Sequence, residues 1–259
     1  MSAYAVVVLY CGLFGLVIGS FLNVVIVRLP RKESIVRPRS RCPGCGSQLA
    51  ARDNVPVVSW LVLRGRCRSC GEPISSRYPL VELLTAAVFV ALGARFGLDA
   101  ALPAFLVLGA AGVAISAIDL EHRIVPTRLV YPCLAAALVL LAAAAALDGE
   151  WGHLMRAVIG AVFARTALWV IHVVQPRGMG FGDVRLATLL GLLLGWLSLG
   201  HVAVGLFLGF LAGAVVGSAL LLSGRRGRKD ALPFAPFLVL GTLLAVLWGS
   251  PLLAWYPTP

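Results

Sequence analysis

Acidic side chains are scarce in this chain. It carries 11 Asp and Glu against 22 Lys and Arg, and charged residues of every kind make up 13% of its 259 positions. So little charge, with repeated apolar runs of about 18 residues or more, excludes an ordinary soluble domain. The runs lack the alternation of barrel strands, which leaves helices as the spanning form, since lipid cannot satisfy open backbone. The first run has no basic segment before it and no small-residue cleavage site after it, so it reads as a genuine first span rather than a removable leader. No HExxH pair, Walker loop, dinucleotide fingerprint or Gly-x-Ser-x-Gly is present. Glu121-His122 resembles part of a metal motif but has no second histidine near it, and His153, His172 and His201 are scattered between faces, which argues against a histidine-held metal.

What is present is apolar: 60% hydrophobic residues and a mean hydropathy of +0.94. Eight spans are expected, over 4–27, 80–95, 101–118, 129–147, 155–174, 184–199, 201–222 and 234–254. The fold class expected is an all-α polytopic membrane protein of about eight transmembrane helices, with one soluble insertion. That divides the chain into a first transmembrane helix (1–27), an insertion (28–78) and a transmembrane core (79–259).

The net charge of +11 does not point to nucleic acid, because its distribution follows the loops. Of the 22 Lys and Arg, 19 fall in residues 28–78, 119–128, 175–185 and 223–230, which are alternate loops. The positive-inside rule places those loops in the cytoplasm, facing anionic lipid, and both termini outside. Trp151, Trp196, Trp248 and Trp255 fall near outer span ends, as interfacial anchors would. Arg165 lies in mid-span, where a partner inside the bundle is expected.

The insertion carries two CxxC knuckles, Cys42-Pro43-Gly44-Cys45 and Cys67-Arg68-Ser69-Cys70, with 21 residues between them. This is the spacing of a four-cysteine zinc ribbon. Gly44, Gly46 and Gly71 suit the tight turns, and the surrounding arginines favour thiolates. Disulfides would require an oxidising compartment, against the charge-derived side. A segment of about 50 residues buries too little core to stand alone, so a structural zinc on Cys42, Cys45, Cys67 and Cys70 is expected. Cys11 and Cys133 lie in spans and read as packing residues.

Two acids sit at span edges: Asp119, closing the third span, and Asp183 in Gly180-Phe181-Gly182-Asp183, opening the sixth. Two spans separate them, so an even number of crossings puts both on one membrane face. Carboxylates sharing a site cannot both ionise cheaply, and a pair holding one proton is the apparatus of an aspartic protease. The plainer reading has Asp183 as the N-cap of its helix and Asp119 paired with Arg123 or Arg128.

With these motifs the chain resembles the type IV prepilin peptidases, the leader peptidase/N-methyltransferases, which are GxGD-type membrane aspartic proteases. The likeness covers nearly the whole chain. It includes Gly19-Ser20-Phe21-Leu22-Asn23 through Arg28-Leu29-Pro30, the four cysteines and Asn54-Val55-Pro56-Val57-Val58-Ser59-Trp60-Leu61. Arg77-Tyr78-Pro79-Leu80-Val81-Glu82-Leu83, the two acids and Leu232-Pro233-Phe234-Ala235-Pro236-Phe237 complete it. Thr127 stands where many relatives have aspartate, and Ala235 where glycine is common. The resemblance implies catalytic Asp119 and Asp183, supported by Gly180 and Gly182, at the cytoplasmic face of a bacterial inner membrane. It implies leader removal from prepilins or pseudopilins of pilus or secretion systems. Methylation of the new N-terminus from S-adenosylmethionine would follow, in the 28–78 insertion. The rivals are a peptidase without methyl transfer and a transporter or scaffold whose acids carry protons or cap helices. Membrane lipids are the other partners implied, nucleic acid is not, and the sequence leaves the S-adenosylmethionine contacts and the oligomeric state open.

Overall fold

The computed structural model describes residues 2–37, 40–42, 44–48, 50–176, 178–224 and 232–254. Arg39, Arg177, the basic run Arg225, Arg226, Arg228 and Lys229, and the expected anchor Trp255 lie outside the described residues. Among those described there are helices and two isolated bridges, with no strand. Backbone contacts divide the chain into two compact units, Met1–Leu98 and Asp99–Pro259.

The first unit holds α1 (Ala3–Arg28), a 3-10 turn (Ala51–Asn54), α2 (Val58–Val62) and α3 (Arg77–Phe96). Apolar attraction between helices is weak in lipid, so association depends on backbones approaching closely through small residues. Helices α1 and α3 do this as an antiparallel pair. A Cβ at Gly15 would lie 2.7 Å from the Ala86 Cα, and one at Gly19 would lie 2.6 Å from the Glu82 Cα. Near the other end, the Tyr4 hydroxyl donates to the Ala94 carbonyl at 3.0 Å. Cys11 packs against Gly93, as a small buried side chain does. The opposite face of α1 exposes Tyr10, Leu13, Phe14, Val17 and Phe21, an apolar surface suited to lipid.

The second unit consists of α4 (Leu102–His122), α5 (Thr127–Asp148), α6 (Trp151–Val174), α7 (Phe181–Leu197), α8 (Leu199–Leu222) and α9 (Ala235–Ala254). Helix α7 is its centre and touches all five others. Of its 17 residues, 12 are buried, so α7 forms the core while its neighbours meet lipid. Among the described residues, seven helices are long and apolar enough to cross a membrane, and the central α7 falls just short in length. At about 1.5 Å per residue it extends about 26 Å, close to the hydrocarbon thickness of about 30 Å.

One sequence expectation is corrected here, and one rival reading falls. Trp196 is buried in α7, edge-on to His153, rather than anchored at an interface, because the central helix presents no face to lipid. Asp183 is not an N-cap: Gly180 holds that position and Asp183 lies in the first turn proper. Arg165 finds its partner inside the bundle, donating to the Thr188 hydroxyl on α7 at 3.4 Å.

Candidate active site and metal centre

In the second unit, the end of α4 and the start of α7 meet through a glycine. Arg123 ends α4 in the left-handed region (φ 55°), turning the chain into Ile124-Val125-Pro126 and then α5. That turn lies against α7, where a Cβ at Gly182 would come 2.8 Å from the Val125 Cβ. Any larger residue at 182 would push the turn that follows Asp119 away from the turn that carries Asp183. On the other side of the α7 start, the His172 ring donates from Nδ1 to the Met179 carbonyl at 2.8 Å and packs against the Phe181 ring. The tie orders the approach to Gly180, whose carbonyl accepts the Asp183 N–H at 3.1 Å.

Both acids are buried, Asp119 to 5% exposure and Asp183 to 7%, and they are close enough for their charges to interact. Asp119 makes no ion pair with Arg123, Arg128 or any other described residue. Its Oδ2 instead accepts the Ala235 N–H at 3.1 Å, and the Phe234 N–H is a second donor. The Ala235 amide opens the first turn of α9 and the Phe234 amide immediately precedes it, where the positive end of the helix dipole favours a carboxylate. The sequence reading missed this partner, 116 positions away. The visible signal was Pro233 and Pro236 flanking the start of an apolar run, which mark a helix beginning. Asp183 sits in the first turn of α7 with Oδ1 buried and unpartnered among the described residues. An unpaired buried acceptor costs about 1–3 kcal/mol, and it leaves Asp183 ready to bond a substrate or water. Beside it, Arg185 donates to the Thr127 hydroxyl and stacks over Phe181 at 4.8 Å.

The first unit holds the cysteines, and its two knuckles are the same structure twice. The Cys42 N–H donates to the Ser47 carbonyl and the Gly46 N–H to the Cys42 carbonyl. Twenty-five positions further on, Cys67 bonds Glu72 and Gly71 bonds Cys67 in the same way. Gly46 and Gly71 have φ of 70° and 74°, with open space where a Cβ would go, so backbone conformation alone demands glycine there. The knuckles bring all four Sγ atoms within 4.8 Å of one another, with Cys42 and Cys70 at 3.7 Å. Four thiolates about 2.3 Å from a tetrahedral zinc would stand about 3.8 Å apart, so the cluster fits a closed metal site. Hydrogen bonds from the Ser47 hydroxyl and backbone hold the Cys45 thiol down at about 6. Backbone N–H groups of Cys70 and Ser69 lower that of Cys67.

A cavity of ≈ 440 Å³ opens between the cysteine loops and the α1–α3 pair. Trp60, held by its indole N–H on the Ile74 carbonyl at 3.1 Å, lines one wall, with Asp53 and Arg68 nearby. Its size lies within the range of about 300–1,000 Å³ usual for small-ligand pockets. At the helical end lie Asn23 and Glu82. Glu82 accepts the Val57 N–H at 2.7 Å and thereby holds a β-branched residue at φ 59°, a conformation that persists only where surroundings enforce it.

A polytopic helical membrane protein with two buried acids at helix ends and a separate four-cysteine cluster is a narrow class. Residues 13–96 match the bacterial peptidase A24 N-terminal domain and residues 105–220 match the type IV leader peptidase family. A prepilin leader peptidase/N-methyltransferase of Aeromonas hydrophila is 38% identical over 275 residues, 95% of this chain and 92% of that one. One of Bacillus subtilis strain 168 is 36% identical, covering 94% and 95%. One of Myxococcus xanthus strain DK1622 is 46% identical over 83% of this chain and 64% of its own. No solved structure matches. The chain belongs to the type IV leader peptidase family.

Proposed function

We propose that this membrane peptidase removes leader peptides from type IV prepilins or pseudopilins with Asp119 and Asp183. It then methylates the exposed N-terminal amine from S-adenosylmethionine. The observation that carries the peptidase reading is the convergence of two buried acids, each at a helix end, in a unit otherwise nearly free of buried charge. Two interacting carboxylates hold one proton between them. The ionised member takes a proton from water, which attacks the scissile carbonyl, while the protonated member donates to that carbonyl's oxygen. On collapse of the tetrahedral intermediate, the proton passes to the leaving amine. The roles belong to the pair, since coupled groups share their titration. The first turn of α9 fixes the Asp119 carboxylate, and Gly182 sets how closely the Asp183 turn approaches it.

The four cysteines hold a structural zinc, with no open position for a catalytic water. Residues 28–78 serve methyl transfer and 79–259 peptide cleavage. S-adenosylmethionine supplies an electrophilic methyl group when bound, and the Trp60-walled cavity offers an aromatic surface for its adenine. The basic loops support a cytoplasmic face of the inner membrane for both sites.

The test is a purified prepilin substrate in nanodiscs. Asp119→Asn and Asp183→Asn are each expected to lower cleavage at least about 1,000-fold, the upper part of the range for general acid–base groups. Cleavage within about tenfold of wild type in either variant would favour a scaffold or proton carrier instead. Mass spectrometry of the wild-type product tells the two enzyme readings apart: leader loss without a methyl increment means a peptidase alone.

A further inference from the structure

Where the cavity of the first unit meets the paired helices, one buried acceptor stands unbonded and one buried acid stands without a cation among the described residues. Asn23 is 2% exposed. Its Nδ2 donates to the Gly19 carbonyl at 3.3 Å and the Tyr78 carbonyl at 3.1 Å. Both partners are carbonyls, so the amide can be oriented only one way, and the cavity-lining residue is left with Oδ1 buried and unbonded. One helical turn along the same α1–α3 contact is Glu82, 7% exposed. The Val57 N–H and the Ser20 hydroxyl bond it, but no described cation pairs with it. A carboxylate has about four lone-pair sites, so it can take more donors. Buried acids are ordinarily paired, and those near lipid mark function. A buried carboxyl without a cation, beside an unbonded neutral acceptor, suits a ligand both cationic and rich in N–H. No described arginine or lysine supplies it.

We propose that Asn23 Oδ1 and the Glu82 carboxylate form a binding site for a primary ammonium group. This deepens the methyl-transfer reading and rests on it. That reaction involves two such groups: the new N-terminal amine of the cleaved substrate, and the amino end of the donor's methionine moiety. If the substrate's amine sits here, Glu82 accepts its proton and the freed lone pair attacks the donor's methyl carbon. The carbon–sulfur bond breaks with its electron pair going to sulfur, so the sulfonium becomes a neutral thioether. Nitrogen gains the methyl group.

The test uses the full chain in nanodiscs, wild type and Glu82→Gln, which keeps an acceptor for Val57 but removes the charge. Binding of S-adenosylhomocysteine and of its deamino analogue is measured by calorimetry. Binding of a mature-end peptide with a free or an acetylated N-terminus is measured by competition. If the ammonium is the peptide's, the free amine binds wild type about tenfold or more tightly than the acetylated form, and Glu82→Gln erases that preference while leaving S-adenosylhomocysteine within about twofold. If it is the donor's, the loss falls on S-adenosylhomocysteine relative to its deamino analogue, and the peptide preference is unmoved. A monodisperse variant that changes neither preference overturns the site. Should the variant not fold, wild type decides alone: no preference for a free amine in either ligand overturns it. Wild type that prefers the free-amine peptide but shows no methyl transfer would remove the methyl-transfer reading and leave the ammonium site standing.

Discussion

At the scale of single residues, the two glycines of Gly180-Phe181-Gly182-Asp183 are not equivalent. A Cβ at Gly182 would meet the Val125 Cβ at 2.8 Å, an atom fixed to the backbone, so something must shift. A Cβ at Gly180 would meet the Asp183 Oδ2 at 3.4 Å, ordinary contact, and its φ of −72° suits any residue. Gly182→Ala is therefore expected to destabilise by about 1–3 kcal/mol, as overpacking does. Because it displaces one acid relative to the other, it should lower cleavage by about 100-fold. Gly180→Ala should stay within about tenfold of wild type, and Val125→Gly should partly restore Gly182→Ala. Cleavage kinetics with thermal unfolding of the four proteins checks the order. A second residue-scale prediction concerns Asp53, whose carboxyl is held below the ordinary range by hydrogen bonds from Arg68, at 2.7 Å and 2.9 Å. A depressed carboxyl contributes stability above its unfolded pKa of about 3.9 and loses it as the pH falls through its folded value. The coupling in an Asp53→Asn, Arg68→Gln double-mutant cycle, read by chemical denaturation, should be level from neutral pH down to about 5 and disappear in stronger acid.

Elements show where reading by sequence ends. Hydropathy marks helices because bilayer thickness sets a length any apolar run reveals, and the knuckles are visible because four ligands fall within short local turns. The Asp119 and Asp183 pairing was reachable by parity, a count of crossings. What sequence could not show are the contacts made by backbone atoms of distant elements. The Ala235 N–H on Asp119 and the Tyr78 carbonyl on Asn23 are backbone groups whose identity leaves no trace in the side chain. For the same reason the rival reading of Asp183 as a cap stayed open: N-cap and first-turn acids look alike until the helix start is seen. At this scale the prediction is that the two knuckles are one folding element with their metal. Each chain should carry one zinc by elemental analysis, and Cys67→Ser or strong chelation should remove it. Binding free energy of a closed zinc site is folding free energy, so loss of the metal should unfold residues 40–75 and raise their hydrogen exchange to that of open chain. Unchanged protection after verified zinc removal would mean that the α1–α3 pair alone holds the loops.

For the whole molecule, the sidedness of the second unit depends on whether α7 crosses the membrane. It is the shortest of the long helices and the most buried, and burial removes the need for a long apolar surface because protein, not lipid, surrounds it. A helix in that position can keep Asp183 at one end and still traverse, its sixteen-odd peptide units covering most of the hydrocarbon depth at about 1.5 Å each. If α7 crosses, the turn before it and Ser198 after it lie on opposite faces. The loop at Ile124 then shares a side with Gly178, while Gly149 shares the other with Ser198. Single cysteines at these four positions, in a background without the native cysteines at 11 and 133 and with the four ligand cysteines kept under zinc, would be treated with a membrane-impermeant thiol reagent in intact cells. Labelling at 149 and 198 from outside, and at 124 and 178 only after permeabilisation, is the expected pattern. It would put both acids at the inner rim, where the leader of the proposed substrate would present its cleavage point. Labelling of 178 and 198 from the same side would show that α7 dips in and returns. The charge-based placement of the acids would then have to be abandoned, though their proximity to each other would not.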